Sequence, residues 1–455
     1  MEQTSGMLRG TLCAPASSFL SRVESRQANI AVIGLGYVGL PLVLGFHAAG
    51  FSVIGIDVDA DKIAALAEGR SYFRHISSHR IAPLNRERFK PTTDFSALAQ
   101  ADAILICVPT PLTKHLEPDM SFVISTVKST APFVHKGQLV VLESTTYPGT
   151  TREIVEPILV KSSGLRVNED FFVAFSPERE DPGNARFEVS TIPKIVGAAV
   201  PEGLAMASAL YKELGTRVVT VSSPDTAEAV KLTENIFRAV NIAMVNELKL
   251  IYDAMGIDIW EVIDAAATKP FGFMPFYPGP GLGGHCIPID PFYLTWKARE
   301  FGMTTRFVEL AGQINRNMPI HVVSRLAEAL SSRHQRALNG ARILLLGIAY
   351  KKNVDDTRES PSLVLIELIE SRGAKVDYHD PFIPIIPVTR EHAVLSGRRS
   401  VPLTADELAR YDAVVIVTDH DDVDYSLIAK HARLVLDTRN ACRRAGLFTS
   451  NIVKA

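Results

Sequence analysis

Cysteine is scarce and scattered in this chain. Cys13, Cys107, Cys286 and Cys442 make no disulfide framework and no CxxC knuckle, so no metal is expected. A reducing, cytoplasmic setting suits such isolated thiols. Long apolar runs are also missing, and no stretch approaches the roughly 18 residues of a membrane span. Neither sign of charge is in excess. A net charge of −2 argues against nucleic acid or an anionic membrane as partner. The N-terminus has no apolar h-region. Residues 1–28, rich in Ser and small side chains and without periodicity, read as a poorly ordered extension, with a transit peptide as the minor alternative.

What is present is an ordinary soluble composition, 47% apolar and 22% charged. At 455 residues the chain exceeds the roughly 250–300 at which single cores split, so two or three domains are expected. From Asn29 the pattern is strand, glycine turn, helix, strand. The turn, Gly34-Leu35-Gly36-Tyr37-Val38-Gly39, is a GxGxxG in its proper context. The glycines allow a tight turn, close approach of a pyrophosphate and close helix packing, and the phosphates meet a helix N-terminus. Asp57 ends the second strand, placed to bond a ribose diol. With Val58 offering no base, that favours NAD over NADP. Further strands at 102–108, 138–142, 171–175, 194–197 and 217–221 predict a doubly wound parallel sheet over 29–222. Thr110, Ser144, Thr145 and Glu178 follow strand ends, on the side where α/β ligands bind.

Strand signals stop near Pro224. Residues 225–255 predict one long helix, capped by Ser223 or Asp225 with Glu228 as reciprocal partner. Lys231 and Asn235, four apart, share one helix face. Shorter helices follow at 259–267, 293–300 and 308–330, the last with Pro319 as a kink or break. Between them lies YPGPGLGGHCIPIDP, Tyr277–Pro291. It is too rich in Gly and Pro for regular structure, and it carries Cys286 between His285 and Asp290. A tight loop with a buried Cys and a nucleophile held toward a substrate are both open on these residues alone. A third unit begins near Ala341, again strand, loop, helix, strand. Here Lys351, Lys352 and Arg358 supply positive charge suited to phosphate. The fold class is therefore α/β, with two Rossmann-like doubly wound domains (29–222 and 336–455) joined by a helical central domain (223–335).

An alcohol dehydrogenation needs no nucleophile. A cysteine becomes useful when oxidation proceeds through an aldehyde to an acid, by way of a thiohemiacetal and a thioester. A lysine ammonium would stabilise the alkoxide, and a carboxylate such as Asp290 would take a proton or position water. A two-electron hydroxyacid dehydrogenase leaves Cys286 without a task. A non-catalytic nucleotide sensor is the third reading.

The motifs GLGYVGLP (34–41) with Asp57, CVPTP (107–111), ESTTYPG (143–149), SPER (176–179), AEAVKLTENIFRAVNIAMVNEL (227–248), GPGLGGHCIPIDP (279–291) and AYKKNVDDTRES (349–360) resemble the UDP-glucose/GDP-mannose dehydrogenase family. Among its members the chain looks most like bacterial UDP-N-acetylglucosamine 6-dehydrogenases. The resemblance implies NAD-dependent oxidation of the sugar C6 hydroxyl of a UDP-sugar, two NAD per sugar, and a homodimer or higher homo-oligomer. It also implies a uronic acid destined for O-antigen or capsule. Carried over by motif, Cys286 is the nucleophile, Lys231 and Asn235 are oxyanion partners, and Asp290 is the base or positions water. Thr145 and Glu178 act at the reacting centre. Gly34, Gly36, Tyr37, Val38, Gly39, Asp57, Thr110, Ser144, Thr145 and Arg358 fall on the cofactor side. Glu178, Arg179, Lys231, Asn235, Tyr277, Gly279, Gly283 and Lys351 fall on the substrate side, and residues 271–284 line the sugar pocket. His285 and the SPEREDPG run depart from the UDP-glucose pattern, and the C2 and C4 epimers of the hexosamine stay open.

Overall fold

The computed structural model describes residues 12–73, 76–84, 88–113, 115–179, 191–284, 287–389 and 391–455. It falls into two compact units, Met1–Glu234 with Phe292–Met303, and Asn235–Pro291 with Thr304–Ala455.

The first unit is built on an eight-stranded sheet. Its strands are β1 (Asn29–Ile33), β2 (Ser52–Ile56), β3 (Phe89–Thr92), β4 (Ala103–Ile106), β5 (Leu139–Leu142), β6 (Phe172–Phe175), β7 (Lys194–Ala198) and β8 (Val218–Val221). They lie in the order β3-β2-β1-β4-β5-β6-β7-β8. The apolar residues divide by the two-residue period of a strand. Ile30, Val32, Leu105 and Val141 face one core, while Ala31, Ile33, Ile106 and Leu142 face the other. With apolar layers on both faces, the central strands β4, β5 and β6 are buried along their whole length, while the edge strands β3 and β8 are partly exposed. The exception to the parallel expectation is the pair β7 and β8: β7 lies antiparallel to β6, and β8 runs parallel to β7. Hydrophobic periodicity carries no strand direction, so nothing in the pattern marks the reversal.

Part of the N-terminal extension is ordered. Residues 1–11 lie outside the described residues, but Ala14–Glu24 is a helix with proline at its start. Ala16, Phe19 and Val23 bury a stripe at helical spacing in the first core, beside Met206 and Leu210 of the helix Pro201–Lys212. Arg22 pairs with Asp102 at 2.9 Å. The expectation of disorder fails because three apolar side chains at this spacing suffice to dock one short helix, and composition averages them away.

The second unit holds a five-stranded parallel sheet. Its strands are β9 (Arg342–Leu346), β10 (Lys375–His379), β11 (Ala413–Ile416), β12 (Val435–Asp437) and β13 (Ile452–Lys454), in the order β10-β9-β11-β12-β13. The helical region 223–335 is not a unit of its own. Ala227, at the start of the helix Pro224–Ala254, is buried in the core of the first unit. The helix Arg306–His334 packs Val322, Leu326 and Leu330 into one core with Ile343 and Leu345. That helix also runs unbroken through Pro319. The cap of the long helix differs from expectation as well. Ser223 Oγ accepts the Thr226 N–H at 3.1 Å, but Glu228 bonds Gly149 N at 2.6 Å and Thr151 N at 2.9 Å instead. It fixes the turn after β5 rather than the helix start.

Candidate active site

In the first unit the GxGxxG turn has the geometry its glycines suggest. Gly34 has φ +89°, and a Cβ there would stand 2.5 Å from the Cys107 carbonyl oxygen. A Cβ on Gly39 would stand 1.9 Å from the Gly34 oxygen. Around Gly36, by contrast, the space is open to 4 Å. Two glycines are thus needed for packing, and the third keeps a surface clear for a ligand. The helix Gly39–Ala48 begins at Val38 with no side-chain cap; Leu40 N–H already donates to the Gly36 carbonyl at 3.1 Å and Pro41 has no N–H, so what this helix start offers an anion is chiefly its dipole. Tyr37 stacks on Phe73 with centroids 4.4 Å apart.

Asp57 follows β2 and is buried. Its carboxylate accepts Leu35 N–H at 2.8 Å and Asp59 N–H at 3.0 Å, which fixes it against the glycine turn. Lys62 Nζ lies 3.5 Å from it, so a base does stand here, four residues after Val58. Lys62 serves Asp57 itself. Open glycine, uncapped helix and fixed carboxylate fit a dinucleotide's pyrophosphate and ribose.

Beyond β4, Thr110 is half-buried, and the next residue's carbonyl, Pro111, accepts the Tyr293 hydroxyl at 3.2 Å. Ser144 Oγ donates to the Val108 carbonyl at 2.7 Å, tying the ends of β4 and β5. Thr145 beside it is half-buried. Glu178 follows β6. One of its carboxylate oxygens accepts Arg179 N–H at 2.6 Å and the other accepts Lys194 Nζ at 3.1 Å. The Lys231 ammonium donates to the Glu178 carbonyl oxygen, so Lys231 is buried at Glu178 rather than solvated. Arg179 spends its guanidinium on Glu234, at 2.5 Å, and on the Pro193 carbonyl, at 2.6 Å.

In the second unit, Asn235 and Asp290 are both buried, and the Asn235 amide donates to Asp290 Oδ2. Arg238, one helical turn on, donates to the Asn235 oxygen. Asp290 opens the helix Asp290–Glu300. Its carboxylate is therefore the end of a short relay that runs from Arg238 through Asn235. His285 and Cys286 lie outside the described residues. The flanking loop is described. Gly279 N–H donates to Asn246 Oδ1 at 3.0 Å, and Asn246 in turn donates to Asn315 at 2.9 Å. A Cβ on Gly283 would meet Tyr350 Cβ at 2.6 Å, and one on Gly279 would meet the Arg439 guanidinium at 2.5 Å. Close approach is indeed why glycine is needed, but the approaching groups are side chains of the C-terminal domain. Tyr277 is half-exposed and donates to Asp264 at 2.7 Å.

The loop after β9 carries the basic residues. Lys351 is half-buried; Lys352 pairs with Asp421 at 2.5 Å. Arg358 is bidentate to Asp356, Nη2 to Oδ2 at 2.6 Å and Nε to Oδ1 at 3.0 Å, so an acid two residues away already holds the guanidinium proposed for the cofactor. Asp380, after β10, repeats the part of Asp57. Its carboxylate accepts Ile348 N–H at 2.7 Å and Ala349 N–H at 3.0 Å. Behind it His420 is wholly buried. Its Nδ1 accepts Asn353 N–H at 3.0 Å, which assigns the proton to Nε2, 3.1 Å from Asp380.

Sequence reasoning missed Glu143, Lys194 and Tyr211. The Lys194 ammonium is 2.6 Å from Glu143 and 3.1 Å from Glu178, and Tyr211 donates its hydroxyl to Glu143. A lysine opening an otherwise apolar strand is the signal that marks them. The buried thiols Cys107 and Cys442 are poorly suited to act as nucleophiles. Burial pushes Cys107 well up, with Glu143 adding to it, and burial pushes Cys442 up to about 12.

The chain matches three family models, all of the UDP-glucose/GDP-mannose dehydrogenase family: the NAD binding domain over residues 28–215, the central domain over 225–317 and the UDP binding domain over 344–444. It is 35% identical to a UDP-N-acetyl-D-glucosamine 6-dehydrogenase of Pseudomonas aeruginosa, over 87% of this chain and 92% of that protein. It is 34% identical to a UDP-N-acetyl-D-mannosamine dehydrogenase of Pyrococcus horikoshii, over 90% and 95% respectively. Among solved structures, a UDP-D-ManNAc dehydrogenase from Pyrococcus horikoshii superposes with a TM-score of 0.84 at 32% identity, covering 94% of this chain and 98% of that one.

Proposed function

The chain belongs to the UDP-glucose/GDP-mannose dehydrogenase family, and from that premise we propose that it oxidises the C6 hydroxyl of a UDP-N-acetylhexosamine, UDP-GlcNAc first, to the uronic acid. It is an NAD-dependent UDP-sugar dehydrogenase. NAD, when bound, accepts hydride. Gly36, the N-terminus of the helix Gly39–Ala48 and Asp57 hold it, and the basic loop after β9 with Lys351 takes the nucleotide diphosphate.

In this reading Lys231 and Asn235 stabilise negative charge on the C6 oxygen. The Cys286 thiolate adds to the aldehyde carbon, forming a C–S bond and an alkoxide. Loss of a second hydride, to a second NAD, leaves a thioester, and water placed by Asp290 cleaves the C–S bond to give carboxylate and thiol with release of one proton. Glu178 and Thr145 act at the reacting centre. What supports the assignment best is the buried Asn235–Asp290 pair, because it locks a carboxylate four residues after Cys286. We place the enzyme in the cytoplasm, as a supplier of uronic acid for surface polysaccharide such as O-antigen or capsule. A second copy of the chain is its proposed partner. Phe237, Met244 and Ile251 are exposed at seven-residue spacing on one helix, a seam suited to self-association.

The similarity to UDP-N-acetylmannosamine dehydrogenases favours UDP-ManNAc as the second reading. A panel of UDP-Glc, UDP-GlcNAc, UDP-GalNAc and UDP-ManNAc with NADH readout separates them. UDP-GlcNAc is expected to give the highest kcat/KM. A higher value for any other sugar overturns the substrate assignment.

A further inference from the structure

Lys194 opens β7, and its ammonium is buried beneath the sheet's carboxyl end. Burying an ammonium is costly unless it is paired and hydrogen-bonded. Here it is paired twice, to Glu143 Oε2 at 2.6 Å and to Glu178 Oε2 at 3.1 Å. Glu143 is almost wholly buried, and its other oxygen takes the hydroxyl of the fully buried Tyr211. The Lys194 ammonium also lies 5.2 Å from the centre of the Tyr211 ring. The second oxygen of Glu178 takes the Arg179 N–H, and the Glu178 carbonyl takes the Lys231 ammonium. A continuous relay thus runs from Tyr211 through Glu143, Lys194 and Glu178 to Lys231. An apolar side chain would fill the place of Lys194 at lower desolvation cost if packing were its only task.

We propose that Lys194 is a positioning residue, which, anchored by Glu143 and Tyr211, holds the Glu178 carboxylate ionised and in a single orientation for the oxidation. This rests on the reading that Glu178 acts at the reacting centre. The groups facing the relay are Glu143 after β5, Glu178 and Arg179 after β6, Tyr211 from the helix Pro201–Lys212, Cys107 after β4, and Lys231. Burial pushes Tyr211 and Cys107 up, so both are neutral at physiological pH. Burial also pushes Glu143 up, against the pull of Lys194, while the two carboxylates together hold Lys194 protonated. Without the ammonium, Glu178 faces Glu143 with no compensating charge on that side, and like charges at this range raise a carboxyl pKa.

The test is steady-state kinetics across pH on the full-length enzyme with the best sugar of the panel. Glu178→Gln comes first, with kcat expected to fall by about 10²-fold or more. Lys194→Met should then lower kcat by roughly 10–10²-fold, leave both KM values within about threefold, and move the acid limb of the kcat profile up by about one pH unit or more. Lys194→Arg should restore most of kcat and return the limb. Glu143→Gln is nearly isosteric and keeps an acceptor for Tyr211, so it tests the relay even if Lys194→Met fails to fold. With one negative charge removed beside Glu178, its acid limb should move down. Limbs that coincide with the native one in Lys194→Met, or in Glu143→Gln where only that variant folds, overturn the positioning role. Full activity in Glu178→Gln instead overturns the reading beneath it, so the two failures are told apart.

Discussion

Lys231 reaches the Glu178 main chain from near the start of a 31-residue helix, and Asn235 meets Asp290 one turn later. Both are buried polar groups with assigned partners, which is how a charge is kept inside a protein at tolerable cost. In the proposed mechanism the Lys231 ammonium acts on the C6 oxygen in the transition state, so replacing Lys231 by Ala should lower kcat by roughly 10²–10³ with little change in KM. A loss confined to KM would mean that Lys231 only binds sugar. The spacing of Lys231 and Asn235 was legible in the sequence, since helix geometry relates residues four apart. The Asn235–Asp290 bond joins residues 55 apart, and no local pattern encodes it. The relay through Lys194 joins Glu143 to a lysine 51 residues on for the same reason. The glycines of the 279–284 loop read as room for a ligand. Their need for room is real, but it is filled by Tyr350, Pro361 and Arg439.

Elements were legible wherever their signal is periodic. The strand–turn–helix–strand pattern of both Rossmann-like domains stands, with strand ends shifted by a residue or two. The direction of β7 and β8, the short strands β3 and β13, and the helix Ala14–Glu24 were not legible. A four-residue strand holds at most two alternations, and an eleven-residue helix with three core contacts disappears in a Ser-rich stretch. That helix gives a prediction at its own scale. Phe19 is 2% exposed within the first core, so Phe19→Ala should destabilise the first unit by about 3–5 kcal/mol. Thermal unfolding followed by calorimetry checks this, through a lowered transition for that unit. A midpoint equal to the native one would mean that the helix rests on the surface without contributing to the fold.

At the scale of the molecule, length led to two or three domains and the motifs to a helical middle between two nucleotide-binding folds; by packing, the chain falls into two units. The helical middle lacks a core large enough to stand alone. Among the described residues its own buried cluster is Val245, Ile259, Trp260 and Ile263, and its long helices lend their remaining apolar faces to the larger cores. Two nucleotide-binding units, each with an aspartate fixed at the end of its second strand, suit an enzyme that handles two nucleotides at once. The proposed nucleophile Cys286 would give such an enzyme the means to go past the aldehyde. The most direct measurement is therefore the amount of NADH formed per UDP-sugar consumed at completion, for the native enzyme and for Cys286→Ser. Two NADH per sugar with uronic acid as product, and loss of that turnover in Cys286→Ser, is the predicted result. One NADH per sugar with free aldehyde accumulating, or a Cys286→Ser enzyme that still yields uronic acid at the native rate, would contradict it.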